Sequence, residues 1–324
     1  MKNLFDKTQL GKMTLENRFI RAAIGEKATK GHVNEFILDL YQGLAQGGVG
    51  TMITGFTLVD ENEKNFPMLA FYDDSFRDGH IKLTNLVHKY NKNIILQLVY
   101  IGSYVMGDAR GMSILAPSVV ENLNTKVMPQ EITVEQIKRI QQKFADTASR
   151  AKDAGYNGIE IHAAHGFLLS QFMTPYYNRR KDLYGGTVQN RARMALETYE
   201  AIRRAVGEDF PVWIKINVTD GFENEVSLDD ALYLCKELTE KGINAIEISG
   251  AFSKFANDAT SFFKNEAEKI AMENDTAIIL TGGNKDFKEM TEILNTTKIS
   301  YFGIARALTK EPGLINRFKK EFTK

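Results

Sequence analysis

Eight short apolar runs, each followed by a polar or glycine-rich break and a stretch of helical periodicity, recur along the 324 residues of this sequence. The runs lie at residues 17–23, 51–55, 94–99, 158–162, 212–216, 245–249, 277–281 and 301–304. Strands that alternate with helices favour a parallel sheet. Eight such units leave about 40 residues per unit, which suits an α/β fold of the (β/α)8 TIM-barrel class.

An open doubly wound sheet is the competing architecture. It favours a Gly-x-Gly-x-x-Gly turn after the first strand, and the segment AAIG at residues 22–25 does not supply one. No linker rich in Pro, Gly or Ser divides the chain. We therefore predict a single barrel domain over residues 1–324, with a short hairpin before Asn17 that covers the barrel floor.

Two helices have well-marked ends. Thr133 and Gln136 form a capping box for a helix that ends at Gly155, and Ser227 begins another that ends at Gly242. Both helices lead directly into apolar runs, as the βα alternation requires.

The composition limits which binding partners and which cellular compartment can be expected. Forty-one basic residues balance 41 acidic ones, and no apolar stretch has the length of a membrane span, so neither nucleic acid nor membrane is expected as a partner. The single cysteine, Cys235, cannot form an internal disulfide or hold an iron–sulfur cluster. The polar opening stretch does not resemble a signal peptide, which predicts a cytoplasmic location.

Polar residues cluster where the predicted strands end. In a barrel these ends meet at one rim, which is where active sites of this fold are built. The residues concerned are Gln97, His162, Lys215, Asn217, Glu247, Ser249 and Thr281.

His162 closes the fourth run, and His165 follows it three residues later in IEIHAAHGFLLSQF. A metal site is one interpretation, although no His-Glu-x-x-His pattern is present and a third ligand is not evident. A structural role for one imidazole is a second. The interpretation we favour is a pair of donors directed at an anionic or carbonyl oxygen of a ligand.

Lys215 lies inside an apolar run, where an unpaired ammonium is costly to bury. A desolvated lysine could form a Schiff base with a carbonyl substrate, as in an aldolase-like barrel, or a charged one could stabilise negative charge on a bound cofactor. An outward-facing lysine is the remaining alternative.

The last two runs are each followed by small residues and a helix, in LTGGNKDF and FGIARALTKEP. Turns after strands seven and eight of a barrel commonly hold a phosphate group. Backbone N–H groups of Gly282, Gly283, Ala305 and Arg306, with the Arg306 guanidinium, are the predicted anion contacts.

Several segments together resemble the Old Yellow Enzyme family of FMN-dependent oxidoreductases. HAAHGFLLSQFMTPYYNRRKDLYGGTVQNRAR, at residues 162–193, is similar to the long His-x-Ala-His-Gly segment of that family. LENRFIRAA, GGVGTMITGFTLV and ILQL resemble its first three strands, and GIARALTKEP resembles its closing phosphate turn. The agreement extends over nearly the whole chain.

The resemblance implies a (β/α)8 barrel that binds FMN noncovalently, with NADH or NADPH as reductant and an electron-poor alkene or carbonyl compound as acceptor, so the chain is expected to be an NAD(P)H oxidoreductase or ene-reductase. In this comparison Gln97 matches a contact to the flavin ring edge, and Ala23 and Gly55 match positions beside the flavin. Lys215 stands where the family usually has an arginine near flavin N1 and O2, where a cation favours the anionic reduced form. His162 and His165 match the pair that binds the carbonyl oxygen of the substrate.

Some positions depart from the family pattern. Phe167 replaces the tyrosine that commonly protonates the substrate, so reduction of the acceptor should be slow or use another donor. We predict Tyr100 as that donor, with Tyr176, Tyr177, Glu26 and water as alternatives. Ser103 and Gly25 also replace residues common in the family. The lost donor leaves open a non-catalytic FMN-binding barrel. Because the sequence ends at Lys324, we expect no iron–sulfur or second nucleotide domain.

Overall fold

In a computed structural model, which describes residues 1–63, 67–105, 111–251 and 259–322, the strands and helices alternate along the chain. The strands are β1 (Thr8–Leu10), β2 (Met13–Leu15), β3 (Phe19–Arg21), β4 (Thr51–Ile53), β5 (Thr57–Leu58), β6 (Leu69–Ala70), β7 (Asn93–Val99), β8 (Leu115–Ala116), β9 (Gln130–Glu131), β10 (Gly158–Ala163), β11 (Val212–Asn217), β12 (Ala245–Ser249), β13 (Ala277–Thr281) and β14 (Tyr301–Ile304). The helices are α1 (Glu35–Gln46), α2 (Arg77–His88), α3 (Val134–Asp153), α4 (Leu168–Met173), α5 (Val188–Val206), α6 (Leu228–Glu240), α7 (Lys264–Glu273), α8 (Phe287–Thr296), α9 (Arg306–Lys310) and α10 (Leu314–Phe322).

Parallel strands close into a ring in the order β3, β4, β7, β10, β11, β12, β13, β14 and back to β3. Each of the eight predicted runs supplies one of these strands, so the predicted (β/α)8 barrel is confirmed. The first barrel strand, β3, is shorter than its apolar run, which continues into a loop after Arg21.

The predicted helix ends are also confirmed. Thr133 and Gln136 form the expected capping box at the start of α3, and Ser227 caps α6. Gly155 and Gly242 follow these helices with φ of +88° and +82°, conformations that favour glycine.

The barrel interior is layered because successive side chains of a strand point to opposite faces. The lowest layer is apolar and includes Ile95, Trp213, Ala245 and Ile279. Side chains of the antiparallel β1–β2 hairpin pack against this layer, as predicted for the segment before Asn17. The barrel floor is therefore sealed, and polar side chains occupy the interior above it.

No helix of the described residues is long and apolar enough to cross a lipid bilayer. Cys235 is buried on α6, and burial raises the pKa of its thiol, which disfavours the reactive thiolate. The cytoplasmic location and the single-domain boundary at residues 1–324 stay predictions.

Candidate active site

A layer of four polar side chains lies directly above the apolar floor. Gln97, Glu160, Lys215 and Glu247 come from β7, β10, β11 and β12, and each is at most 2% exposed. Their backbones are neighbours in register: Glu160 pairs with Gln97, and Lys215 pairs with Glu247. The barrel therefore gathers an amide, two carboxyl groups and an ammonium in one buried layer.

Two short contacts join this layer. Lys215 Nζ lies 3.0 Å from Glu247 Oε1, and Gln97 Nε2 donates to Glu160 Oε2 at 2.5 Å. Lys215 thus faces the barrel interior and a negative partner, and the outward-facing alternative is wrong. Burial raises the pKa of Glu160 well above its ordinary value, and the neighbouring Glu247 charge raises it further.

The next layer, at the carboxyl ends of the strands, contains the predicted imidazole pair. The ring centroids of His162 and His165 are 5.2 Å apart with an interplanar angle of 81°. His165 Nε2 lies 2.8 Å from Ser249 Oγ, and its backbone N–H donates to Asn217 Oδ1 at 3.1 Å. The strand-end residues singled out in the sequence therefore converge, as predicted.

The surroundings of both imidazoles favour their neutral form. Burial lowers the pKa of His165 to about 3, and the positive charge of Lys215 lowers it further. Burial likewise lowers the pKa of His162, with further contributions from His165 and Lys215. A neutral imidazole retains one ring N–H, which it can donate to an oxygen atom of a ligand.

The turn that carries His165 is strained. His165 has φ of +59° and Gly166 has φ of +76°, so two successive residues adopt the left-handed conformation that non-glycine residues disfavour. The hydrogen bond from His165 N–H to Asn217 helps to hold this turn. Strain of this kind concentrates at functional sites, where surrounding contacts stabilise it.

An aromatic wall formed by Phe56, Tyr104 and Phe167 borders the imidazoles. The Phe167 ring lies 4.8 Å from His162 and 5.1 Å from Phe56, centroid to centroid. Tyr104 packs edge-on against Phe167 at 5.4 Å. Tyr104 was not among the residues predicted from the sequence. Its place five residues after β7, the third barrel strand, could have marked it as a candidate for the site.

Tyr100, our predicted proton donor, is not brought to the imidazole pair by any contact of the described residues. It is 2% exposed, and burial together with the charges of Glu63 and Asp60 raises the pKa of its hydroxyl. These carboxylates lie outside the polar barrel layers. A buried hydroxyl of raised pKa among carboxylates is poorly suited to release a proton at the barrel mouth.

The alternative donors have partners of their own. Glu26 Oε1 lies 2.8 Å from Arg21 Nη2 and accepts a hydrogen bond from the Tyr41 hydroxyl at 2.6 Å. Tyr177 accepts a hydrogen bond from a backbone N–H and packs edge-on against Tyr176. Burial raises the pKa of Tyr177 to about 12. None of these contacts directs a proton towards His162.

The turns after β13 and β14 border a cavity of about 440 Å³. Its lining includes the four predicted anion contacts, Gly282, Gly283, Ala305 and Arg306. The turns are tied together by Asn284, whose side-chain amide donates to Leu280 O at 2.6 Å and to Gly303 O at 3.0 Å.

Both glycines of the first turn are required by conformation and by space. Gly282 and Gly283 have φ of +117° and +75°. A Cβ on Gly283 would lie 2.7 Å from a ring carbon of Phe262 and 3.0 Å from Ser261 N. The backbone of this turn is therefore open to a ligand on one side and closed to a side chain on the other.

Residues 3–324 match the model of the NADH:flavin oxidoreductase / NADH oxidase family. The chain belongs to this family. The resemblance to Old Yellow Enzymes is thereby confirmed, and the matched family is one of flavin oxidoreductases.

Two relatives of this chain resemble it over most of its length. It is 30% identical over 325 residues to an NADH oxidase of Thermoanaerobacter brockii, covering 96% of this chain and 50% of that protein. It is 34% identical over 228 residues to a cinnamate reductase of Clostridium sporogenes, covering 67% of this chain and 34% of that protein. The chain thus spans half or less of the length of these relatives.

Solved structures support the fold. The Old Yellow Enzyme homologue of Zymomonas mobilis superposes with a TM-score of 0.86 at 21% identity, over 99% of this chain and 93% of that one. At this identity the likeness establishes the shared barrel.

The residues present fit the flavin cofactor of the NADH:flavin oxidoreductase family. Gln97 Oε1 and Thr281 Oγ1 are buried and have no hydrogen-bond partner among the residues that the structure describes. Thr281 also lines the cavity beside the glycine turn. A Cβ at Gly55 would lie 2.8 Å from Ile24 O, which keeps this position free of a side chain. FMN has a ring with an N–H group and a phosphate tail. The buried acceptors suit the ring, and the open turns after β13 and β14, called the anion cradle below, suit the phosphate.

Proposed function

We propose that the chain is the catalytic barrel of an FMN-dependent NAD(P)H oxidoreductase that reduces a small electron-poor acceptor such as an α,β-unsaturated carbonyl compound. The observation that carries the proposal is the convergence, at one end of the barrel, of the neutral imidazole pair, the buried Lys215–Glu247 ion pair and the anion cradle after β13 and β14. The family match makes flavin chemistry the natural use of this arrangement.

In this proposal Gly282, Gly283, Ala305 and Arg306 hold the phosphate of FMN through backbone N–H groups and the Arg306 guanidinium. Ala23, Gly55, Gln97 and Lys215 contact its ring system. When bound, FMN supplies the ability to accept a hydride from NADH or NADPH and to pass it to the acceptor. The protein contributes binding, orientation and electrostatic stabilisation.

His162 and His165 bind the acceptor. Because both imidazoles are neutral, each can donate a ring N–H to the carbonyl oxygen and stabilise the negative charge that develops there. Ser249, close to His165 Nε2, and the backbone N–H of Ala164, which donates to His162 Nδ1, fix the two rings. Phe56 and Phe167 pack against the ring of His162 and supply an apolar border for the bound acceptor.

Tyr104 is the proton donor that we propose in place of Tyr100. Its ring packs on Phe167, the position where a donor is missing, and it is half-buried beside the imidazole layer. Proton donation by a positioned side chain is worth about 10²- to 10⁴-fold in rate. Tyr104→Phe should therefore slow acceptor reduction by about 100-fold or more and leave reduction of the flavin by nicotinamide unchanged.

The function is tested by flavin binding and anaerobic reduction. Purified protein, reconstituted with FMN if necessary, should bleach when NADH or NADPH is added and recover its yellow colour with enones or cinnamate-like acids. The cinnamate reductase relative makes aryl-conjugated acceptors the first choice for this panel. Protein that binds no FMN, or bound FMN that no reduced nicotinamide bleaches, would contradict the proposal.

The two competing functions make different demands on the same residues. A Schiff-base lyase needs a free amine at Lys215, whereas its Nζ lies against the Glu247 carboxylate, an arrangement suited to fixed positive charge. A non-catalytic FMN-binding barrel would bind flavin and leave it oxidised in the presence of NADH and NADPH. Borohydride trapping on Lys215 tests the first alternative, and the anaerobic titration tests the second.

A further inference from the structure

The buried polar layer contains more acid than base. Glu160 and Glu247 are both fully buried, and Lys215 is the cation that acts on them from within the layer. If both carboxyl groups were ionised, the layer would carry a net negative charge in the barrel interior. An unbalanced buried charge is costly, and a carboxyl group in such a site gains a proton instead.

The geometry distinguishes the two carboxyl groups. Glu247 Oε1 lies 3.0 Å from Lys215 Nζ, so it is positioned as the anionic partner of that ammonium. Glu160 instead accepts a hydrogen bond from Gln97 through Oε2, which a neutral acid can also accept. Glu160 Oε1 and Glu247 Oε2 are buried and receive no hydrogen bond from a donor among the described residues. A proton on Glu160 Oε1 could be donated to Glu247. This hydrogen bond would give a partner to a buried oxygen atom of each carboxyl group.

We propose that Glu160 and Glu247 hold one proton between them, resident on Glu160, and that this neutral triad with Lys215 sets the reduction potential of a flavin bound above it. This inference rests on the proposed function. Glu160 and Glu247 are positioning residues that act through Lys215, whose charge is directed at the negative charge of the reduced flavin. The raised pKa of Glu160 agrees with this assignment.

Because Glu160 and Glu247 share one proton, the layer can keep its net charge when one of the two carboxyl groups is replaced. Replacing Glu160 with Gln removes no charge, because the amide imitates the neutral acid. Replacing Glu247 alone allows Glu160 to release its proton and become the counter-ion of Lys215. Only the double replacement leaves Lys215 without a carboxylate partner in this layer, so its full positive charge then acts on the flavin.

The potential of bound FMN is the decisive measurement. Glu160→Gln should leave it unchanged, whereas Glu160→Gln combined with Glu247→Gln should favour the reduced form at least tenfold, which is about 30 mV for a two-electron couple. Glu247→Gln should lie between them. A tenfold effect of Glu160→Gln alone, or no effect of the double variant, would overturn the proposal.

Infrared difference spectroscopy locates the proton independently, including in a case where the double variant fails to fold. Wild-type holoprotein at neutral pH should show the carbonyl stretch of a protonated carboxylic acid that Glu160→Gln removes. Persistence of that band in Glu160→Gln, or its absence from wild type, would refute the assignment. Failure to bind FMN at all would instead refute the proposed function, so the two failures are distinguishable.

Discussion

Replacement of Gly283 with Ala tests the anion cradle. At φ of +75° a non-glycine residue costs about 1–2 kcal/mol. The new Cβ would also lie 2.7 Å from Phe262, and relieving such a contact costs about 1–3 kcal/mol or moves the turn. A moved turn loses a hydrogen bond to the phosphate, worth about 1.5–3 kcal/mol, so we expect the Kd for FMN to rise roughly 10- to 100-fold.

Gly207 provides a matched control. It follows α5 with φ of +77°, and a Cβ there would meet nothing within 4 Å. Gly207→Ala should lower the free energy of unfolding by about 1–3 kcal/mol through backbone strain alone and leave FMN affinity unchanged. The assays are fluorescence titration of apoprotein with FMN and unfolding in urea. If Gly283→Ala bound FMN like wild type while being destabilised only as much as Gly207→Ala, the cradle assignment would be refuted.

Three further predictions concern other parts of the molecule. Phe167→Tyr should leave the rate of acceptor reduction nearly unchanged in stopped-flow experiments, because Tyr104 already donates the proton, and an acceleration of about 10-fold or more would contradict that assignment. Asn284→Ala should lower the free energy of unfolding by about 2–3 kcal/mol in urea, because it leaves two backbone carbonyl groups unsatisfied. Burial lowers the pKa of His80 to about 4, so the unfolded chain binds more protons below about pH 6.5 and this residue should cost about 2 kcal/mol of folding stability between pH 8 and pH 5. His80→Gln should flatten that part of the pH dependence, and an unchanged slope would contradict it.

The barrel was predictable because each strand carries its own local evidence. The runs that became β10, β11 and β12 are apolar, bounded by turns and flanked by helices, of which α3 and α6 begin with capping boxes, and these features require no knowledge of distant residues. The polar strand ends were predictable for a similar reason, since the fold brings every carboxyl end to the same rim.

The pairings within the barrel were not predictable from local pattern. Glu160 was hidden among apolar neighbours in GIEIH, and its relation to Lys215 and Glu247 depends on the register of three strands that are distant in sequence. Tyr100 was chosen from its place after the third strand, but burial and the charges of Glu63 and Asp60 raise the pKa of its hydroxyl, which local pattern does not reveal. Tyr104 lies in the loop after β7, where the alternation of strand faces predicts nothing, and its packing on Phe167 depends on how that loop folds.

The sealed lower end of the barrel has a kinetic consequence. Because Trp213, Ile279 and the β1–β2 hairpin fill that end, small molecules must arrive and depart through the rim that carries the imidazoles. A nicotinamide and an acceptor that both need the same face of one flavin would then have to take turns. Initial-rate plots at several fixed nicotinamide concentrations should accordingly give parallel lines rather than intersecting ones.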